Sequence, residues 1–336
     1  MDRLPTLDDV AKRAGVSTAT VSRTLNFPKK VRAETRETVE NAVRDLGYTP
    51  NFAGRVLASN RTNTIGAVIP TMDNAIFARG IQALEEELAA SGITLLVATS
   101  QYEKQREDEQ IRTLLARGID GLILIGEDRA ESLYDYLDTR RMPYVLLWTH
   151  RHNDRHITIG FDNVKAARAL TERVLEAGHR TIAMIAGTTA GNDRARDRVA
   201  GVRAAMENQG LTLVTPYLVE VAYGIDVSER TATDLLSLSP RPSVIICGND
   251  VQATGALRAA RKMGLAVPLD LSIIGFDDID LAQVVEPPLT TVRVPHARMG
   301  RTAARTLVNW IKSGNPPERV MFDTDIVMRQ SLAPPA

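Results

Sequence analysis

The sequence predicts an α/β protein with an N-terminal all-α helix-turn-helix head and a larger two-lobed α/β body. Two observations predict this fold class. In the first fifty residues, apolar residues at helical spacing form short segments, which a glycine or a helix-capping residue separates. From residue 63 onward, apolar runs of strand length alternate with amphipathic helical segments. That pattern is typical of parallel sheets covered by helices on both faces.

The composition narrows the class of protein further. The 336 residues include 41 basic and 41 acidic side chains, and residues 1–62 hold 11 of the basic but only 7 of the acidic ones. We therefore expect the head to face a polyanion. No apolar run approaches the roughly 18 residues of a membrane span, and the N-terminus has no signal-peptide pattern, so we expect a cytoplasmic protein. The single cysteine, Cys247, lies in an apolar run, which favours a buried thiol over a nucleophile.

The head is predicted to contain three short helices. Thr6 and Asp9 form a capping box at the start of the first helix. Gly15 ends this helix, because glycine accepts the left-handed geometry of a helix end. Ser17 is predicted to cap a second short helix, and a third is predicted over about 33–46. A tight turn between the first two helices gives the helix-turn-helix arrangement.

The second helix presents a candidate reading face at its start. Thr18, Ala19 and Ser22 are small enough to allow close approach to a ligand, and Arg23 can bind guanine with two hydrogen bonds. On spacing alone, a small helical bundle with a solvated polar face remains an alternative interpretation.

The residues of the head match a known family. TLDDVAKRAGVSTATVSRTLN and VRAETRETVENAVRDLGYTPN closely resemble the DNA-binding head of the LacI/GalR repressors, with a nearly continuous match across residues 6–58. The resemblance implies that Thr18, Ala19 and Arg23 read bases. It also implies a set of phosphate-positioning residues: Thr6, Ser17, Thr20, Ser22 and Asn26.

A short segment after Pro50 is predicted to form a marginal helix, because it has room for only two turns and Gly54 weakens it further. The resemblance implies that residues 51–62 are a hinge helix and linker, which folds on DNA while Leu57 wedges into the minor groove. Gly54 departs from the commoner alanine, and Leu57 as an ordinary linker residue is the alternative. The candidate DNA-binding residues here are Asn51, Arg55, Leu57 and Ala58.

The body has more predicted strands than one sheet comfortably holds, so we expect two lobes in tandem. We also expect a helix over 296–312 and a last strand, VMFDTDIVM. Stretches such as EAGHRTIAMIAG, GNDVQATGAL and LSIIGFDDIDLAQVVEPPLTTV resemble the effector domain of the same family, which has the periplasmic-binding-protein fold. By this resemblance residues 1–50 are the DNA-binding domain and residues 63–332 the effector-binding and dimerisation domain. The first lobe then covers about 63–160 and 293–321, and the second about 161–292 and 322–332.

An effector is expected in the cleft between the lobes, facing the carboxyl ends of the strands. Periodicity places Asn249 and Asp277 at such strand ends. The resemblance adds Phe77, Trp148, Asn192, Arg198 and Tyr223 as effector-binding residues.

Each of these residues has an expected role and an alternative one. Asp277 and Arg198 would hold hydroxyl groups, and the aromatic residues would form flat apolar walls. The alternatives are a turn aspartate, a surface arginine and core aromatics. Asn192 and Arg194 stand where effector-discriminating residues of the family vary, and the resemblance does not fix their roles.

Other chemistry is weakly indicated. His150, His152 and His156 lie close together, but no cysteine is near, so we expect no metal site. Asp277 and Asp278 have no accompanying nucleophile or phosphate-binding motif, so we expect neither an enzyme nor a cofactor. The resemblance to the LacI/GalR repressors implies a repressor that binds a pseudo-palindromic operator as a homodimer. We expect its effector to be a sugar, sugar acid or similar metabolite, because the predicted cleft is polar with aromatic walls. A solute-binding transport component and an α/β enzyme are the rival interpretations.

Overall fold

The computed structural model describes residues 3–49, 61–73, 75–150 and 155–336. It divides the chain into two compact units, one ending at Asn63 and one beginning at Thr64. No helix within the described ranges is both long enough and apolar enough to cross a membrane.

The N-terminal unit contains the expected helices. They are α1 (Leu7–Ala14), α2 (Thr18–Asn26) and α3 (Ala33–Leu46). The capping box is formed, since Asp9 Oδ2 accepts from Thr6 N at 2.8 Å and Thr6 Oγ1 accepts from Asp9 N. Gly15 ends α1 with φ 66°, a left-handed conformation that favours glycine. Val10, Val21 and Val39, one from each helix, are fully buried and hold the helices together.

The first lobe of the larger unit is a parallel sheet covered by helices. Its elements are β1 (Thr64–Ile69), α4 (Ala75–Ala90), β2 (Thr94–Thr99), α5 (Lys104–Ala116), β3 (Gly121–Ile125), α6 (Glu131–Thr139), β4 (Tyr144–Leu147), β5 (Thr158–Gly160), α12 (His296–Ser313) and β11 (Val320–Met321). The strands lie in the order β11-β5-β4-β3-β1-β2. Every residue of β1 and β3 is buried, because helices cover both faces of the sheet.

The second lobe has the same layered construction. Its elements are α7 (Asn163–Glu176), β6 (Ile182–Gly187), α8 (Asp193–Glu207), β7 (Leu218–Val221), α9 (Ile225–Leu236), β8 (Val244–Cys247), α10 (Asp250–Lys262), β9 (Ser272–Ile274) and α11 (Leu281–Val284). The strand order is β7-β6-β8-β9, and all neighbours are parallel.

The prediction of one final strand over VMFDTDIVM is wrong. The segment divides into β11, which pairs with β5 of the first lobe, and β12 (Asp325–Val327), which pairs antiparallel with β10 (Thr291–Arg293). The chain passes from one lobe to the other between β11 and β12, so one continuous strand cannot form there. The small β10–β12 sheet therefore lies where the chain crosses between the lobes.

Candidate functional site

The start of α2 presents an exposed polar face. Thr18, Ala19 and Arg23 are exposed, whereas Val21 and Thr24 point into the core of the unit. The Arg23 guanidinium makes no hydrogen bond or ion pair with any residue that the structure describes. It is therefore available to a ligand outside the protein.

The predicted phosphate-positioning residues lie at the starts of α1 and α2 and along α2 to its last residue, Asn26. Thr6 caps α1 and Ser17 caps α2, where its Oγ accepts from Thr20 N at 3.1 Å. Asn26 Nδ2 donates to Ser22 Oγ at 3.3 Å. Capped helix N-termini suit anions, because their free N–H groups and dipole favour negative charge. Asn51, Arg55, Leu57 and Ala58 lie outside the described residues.

In the second lobe, the carboxyl ends of all its parallel strands supply residues to one edge. Gly187 ends β6, Tyr223 follows β7, Asn249 follows β8 and Asp277 follows β9. Because the strands run in parallel, these ends meet at the same side of the sheet, where α/β proteins usually bind ligands. This edge faces the first lobe, since Arg79 of α4 contacts Asp280 and Glu127 N donates to Asp193 Oδ2 at 2.9 Å.

Arg198 and Asp277 form a buried ion pair at this edge. Arg198 Nη2 lies 3.1 Å from Asp277 Oδ1, and the two side chains are 7% and 0% exposed. Arg198 also donates from Nη1 to Gly248 O at 2.6 Å. Its guanidinium lies 3.7 Å from the centre of the Phe276 ring. Arg198 is therefore held in one orientation and is not a surface arginine.

Two buried polar atoms beside this pair have no hydrogen-bond partner among the described residues. They are Asp277 Oδ2 and Asn249 Nδ2. The other amide atom of Asn249, Oδ1, caps α10 by accepting from Gln252 N at 2.8 Å. Since buried polar groups are nearly always hydrogen-bonded, these two atoms mark a place where a ligand can bind.

A closed ring of hydrogen bonds joins the site to the crossover between the lobes. Asn163 Nδ2 donates to Trp148 O at 3.0 Å, and Asn163 Oδ1 accepts from Arg198 Nε at 3.0 Å. Beyond the Arg198–Asp277 pair, His296 Nε2 lies 3.2 Å from Asp277 O, and Trp148 Nε1 donates to His296 Nδ1 at 3.0 Å. Indole can only donate, so the His296 proton is on Nε2. Burial lowers the pKa of His296 and keeps it neutral.

Of the aromatic residues predicted to form apolar walls, Trp148 and Phe77 lie together in the core, whereas Tyr223 lies elsewhere, on the second lobe. Trp148 and Phe77 are 1% and 4% exposed and pack edge-to-face, with ring centroids 5.4 Å apart. A Cβ at Gly80 would lie 2.5 Å from Trp148 Cη2, so glycine is required beneath this ring. Both side chains belong to the core, and their contact with an effector stays a prediction.

Tyr223 and Asn192 lie together on the second lobe. Asn192 caps α8 and donates from Nδ2 to Tyr223 Oη at 3.3 Å. Tyr223 packs directly over Gly187, where a Cβ would lie 2.2 Å from Tyr223 Oη. Neighbouring Arg194 is engaged with Asp193, with Nη1 2.8 Å from Oδ1.

Sequence reasoning missed three residues of this region. Tyr102 follows β2 and contacts Tyr223, with ring centroids 5.8 Å apart, so its position after a strand was a usable signal. Asn163 begins α7 after a strand end, which was a weaker signal. No local pattern in the sequence points to His296, because its hydrogen-bond partners Trp148 and Asp277 are distant in sequence.

The described residues that were candidates for catalysis or metal binding have identifiable surroundings in the fold. Burial raises the pKa of the Cys247 thiol, which opposes nucleophilic use. Burial alone would also raise the pKa of Asp278, but Arg329 and Arg293 outweigh it and lower that pKa. His156 is buried against Tyr134, and His152 lies outside the described residues. Within the described ranges no group of three or more potential ligands could hold a metal ion.

Comparisons with known proteins show which proteins this chain is similar to. Residues 6–51 match the family of bacterial regulatory proteins called the lacI family, and residues 171–332 match the periplasmic binding protein-like domain. The chain is 36% identical over 313 residues to the HTH-type transcriptional repressor PurR of Erwinia tasmaniensis (strain DSM 17950 / CFBP 7177 / CIP 109463 / NCPPB 4357 / Et1/99). That match covers 92% of this chain and 91% of the relative.

Two solved structures are similar over nearly the whole chain. The lac repressor dimer bound to operator and the anti-inducer ONPF superimposes with a TM-score of 0.85 at 25% identity, covering 98% of this chain and 99% of that one. The complex of the transcriptional regulator CelR with cellobiose superimposes with a TM-score of 0.72 at 30% identity, covering 97% and 99%. The chain belongs to the lacI family of bacterial regulatory proteins and is a DNA-binding transcriptional repressor under the control of a small-molecule effector.

Proposed function

We propose that this repressor binds a pseudo-palindromic operator as a homodimer, and that its effector is a small hydroxylated metabolite, such as a sugar or sugar acid. The observation that carries the effector chemistry is the buried pair of Arg198 and Asp277, next to which Asp277 Oδ2 and Asn249 Nδ2 lack a partner among the described residues. A fixed ion pair with spare donors and acceptors suits hydroxyl groups, because each hydroxyl both donates and accepts. Cellobiose, which CelR binds, is a ligand of this chemical class.

We assign residues 1–50 to DNA binding, residues 51–62 to a hinge and linker, and residues 63–332 to effector binding and dimerisation. In the head, Thr18, Ala19 and Arg23 read base edges, which their exposure on α2 supports. The phosphates lie at the capped starts of α1 and α2, near Thr6 and Ser17.

The first lobe carries a surface suited to a second copy of the chain. β2 is the edge strand of the sheet and is partly exposed. Beside it lies an apolar groove of about 360 Å³, lined by residues that include Met72, Ile81 and Val97, and Met72 is 63% exposed. An exposed apolar edge favours pairing with another protein surface. The lac repressor, which has a similar fold, is a dimer on its operator.

Control of DNA binding follows from a hinge between the lobes. The effector bridges them, and closure about the β10–β12 sheet shifts the first lobes of the dimer relative to each other. Only an effector that binds the two lobe arrangements with different affinity can change operator binding. We further propose that the protein acts in the cytoplasm, where a DNA-binding repressor meets its operator. We also propose that it catalyses no reaction, since Cys247 is buried and Asp278 is engaged by two arginines.

The test is a measurement of operator affinity with and without effector in the full-length chain. The operator is first selected from genome fragments, and binding is followed by fluorescence anisotropy with D-glucose, D-gluconate or adenosine as the probe. In wild type, an effective probe should change operator affinity by about 5- to 150-fold, the usual range of allosteric coupling.

Asp277→Asn removes the carboxylate that pairs with Arg198, so the ratio of the operator affinities with and without the probe should fall toward one. Asp226→Asn, at an exposed carboxylate of the same lobe, is the matched control and should respond as wild type does. Unfolding temperatures of both variants establish that they are folded. A folded Asp277→Asn protein with the wild-type response would place the effector elsewhere.

A further inference from the structure

Tyr102 lies where the first lobe approaches the effector site, in the loop between β2 and α5. Gln101 and Tyr102 both have left-handed backbone conformations, with φ 54° and 63°, which non-glycine residues rarely adopt. The loop is fixed in this shape because Gln101 N donates to Pro70 O at 2.7 Å and Arg106 Nη1 donates to Gln101 Oε1 at 2.8 Å. The first lobe therefore holds Tyr102 in a defined position.

The Tyr102 ring meets the second lobe at Tyr223. Their centroids are 5.8 Å apart and their planes are inclined by 43°. Tyr223 is fixed from its own lobe by Gly187 beneath it and by the hydrogen bond from Asn192. Gly191 of the second lobe also approaches the loop, since a Cβ there would lie 3.7 Å from Tyr102 O. Each lobe thus contributes one positioned tyrosine to the same contact.

The hydroxyl of Tyr102 makes no hydrogen bond with any residue that the structure describes. The charged side chains of Arg194, Arg198 and Asp277 act on it. Burial raises the pKa of Tyr102, and Tyr223 adds to the effect, while the charges of Arg194 and Arg198 oppose it. The phenol therefore stays neutral at physiological pH and can both donate and accept a hydrogen bond close to the Arg198–Asp277 pair.

We propose that Tyr102 is the effector contact of the first lobe and a specificity-determining residue. The effector is a small polyol whose hydroxyls bind at Asp277 and Asn249 and whose carbon face packs on Tyr102 and Tyr223. This inference rests on the effector site proposed above. Tyr102 favours the closed arrangement with ligand, because a molecule that touches tyrosines of both lobes binds less well when the lobes separate.

The experiment is isothermal titration of the full-length protein with D-glucose, D-gluconate and adenosine, which present a sugar ring, an open-chain sugar acid and a nucleoside. For the probe that binds wild type best, Tyr102→Ala should weaken binding by about tenfold or more, through loss of the ring contact. Tyr102→Phe keeps the ring and loses only the hydroxyl, so a smaller loss of about 2- to 10-fold is expected. The order of preference among the three probes should also change in Tyr102→Ala.

Tyr136→Ala is the matched control, because it also removes a tyrosine ring from the first lobe. Tyr136 lies on α6, and its ring packs against Arg112 and Arg140 and not against Tyr223. It should bind the probe as wild type does. If Asp277→Asn loses binding while Tyr102→Ala keeps wild-type affinity and preference, the role of Tyr102 is overturned and the proposed site stands. If Tyr102→Ala and Asp277→Asn both bind as wild type does, or if wild type binds none of the probes, the proposed polyol site fails together with this inference.

Discussion

Arg23 and Arg198 have the same side chain in opposite surroundings, one exposed and one buried. Arg198 is buried and engaged by Asp277, Gly248 O and Asn163, so its guanidinium has one orientation. Arg23 is exposed on α2 and has no partner among the described residues. A fixed guanidinium is suited to selecting a small molecule, whereas a free one can adjust to a base edge on DNA.

Arg23→Ala should reduce the preference for operator over unrelated DNA by about 1–3 kcal/mol, because one bidentate base contact is lost. The measurement is fluorescence anisotropy with the operator and with a scrambled duplex at the same salt concentration. Arg44→Ala, at an exposed arginine that contacts Asn41 within α3, is the control and should keep the preference. An unchanged preference in Arg23→Ala would exclude this arginine from base reading.

The candidate site could be predicted residue by residue only where a local signal existed. Asn249 and Asp277 follow strands, and parallel strands bring their carboxyl ends together, so their proximity was predictable. The link between Trp148 and His296 was not, because it joins residues 148 positions apart through side-chain geometry alone. For Phe77 both a core role and a ligand-wall role stayed open, since an aromatic residue in the first turn of a helix has the same sequence pattern in either case.

At the scale of elements, the end of β6 shows how close packing fixes a site residue. Gly187 ends this strand, and the Tyr223 ring occupies the space that a side chain there would need. Gly224 is different, because a Cβ there would meet only Val227 at an ordinary 3.4 Å. The two glycines are close in the fold but have unequal tolerance to substitution.

Gly187→Ala should therefore displace Tyr223 and weaken effector binding by about tenfold, while Gly224→Ala should bind as wild type does. Calorimetric titration with the best of the three probes measures both variants. Equal affinities of the two variants would show that the position of Tyr223 does not matter for binding.

Element bounds were largely predictable, because capping residues and apolar periodicity are local. Thr6 and Gly15 marked both ends of α1 correctly, and Ser17 marked the start of α2. Apolar periodicity did not divide the last strand, since its two pieces pair with β5 and β10, which are distant in sequence. The lobe bounds that the resemblance implies already placed the change of lobe after residue 321, so the two predictions disagreed with each other.

At the scale of the whole molecule, burial of neutral histidines makes stability depend on pH. Burial lowers the pKa of His156, His179 and His296. An unfolded histidine titrates near 6.5. Below that pH the unfolded chain binds more protons than the folded one, so the free energy of unfolding falls as the pH falls. Above about pH 7 this contribution is fully present.

His179→Gln tests this sign. His179 Nε2 donates to Ala333 O at 2.8 Å and Nδ1 lies 2.8 Å from Ser243 Oγ, and burial of the ring lowers its pKa. The free energy of unfolding from urea titration should differ between wild type and variant more at pH 7 than at pH 5. Burial raises the pKa of Asp250 to about 8, so its contribution to the free energy of unfolding has the opposite pH dependence. Wild type and variant both contain Asp250, so this contribution cancels when the two free energies are subtracted. A difference that is constant with pH would contradict the prediction.

The hydrogen-bonded ring at the crossover has a consequence for exchanging lobes between members of the family. Two of its bonds join the lobes, Asn163 to Trp148 and His296 to Asp277. The first is accepted by a backbone carbonyl, which any recipient chain supplies. The second needs the imidazole N–H of His296. The ring also contains the bond from Trp148 Nε1 to His296 Nδ1, within the first lobe. A chimera that receives this second lobe therefore retains the ring when its own first lobe has a histidine at the start of α12 and a tryptophan after β4, and engineers can choose recipients by those two positions.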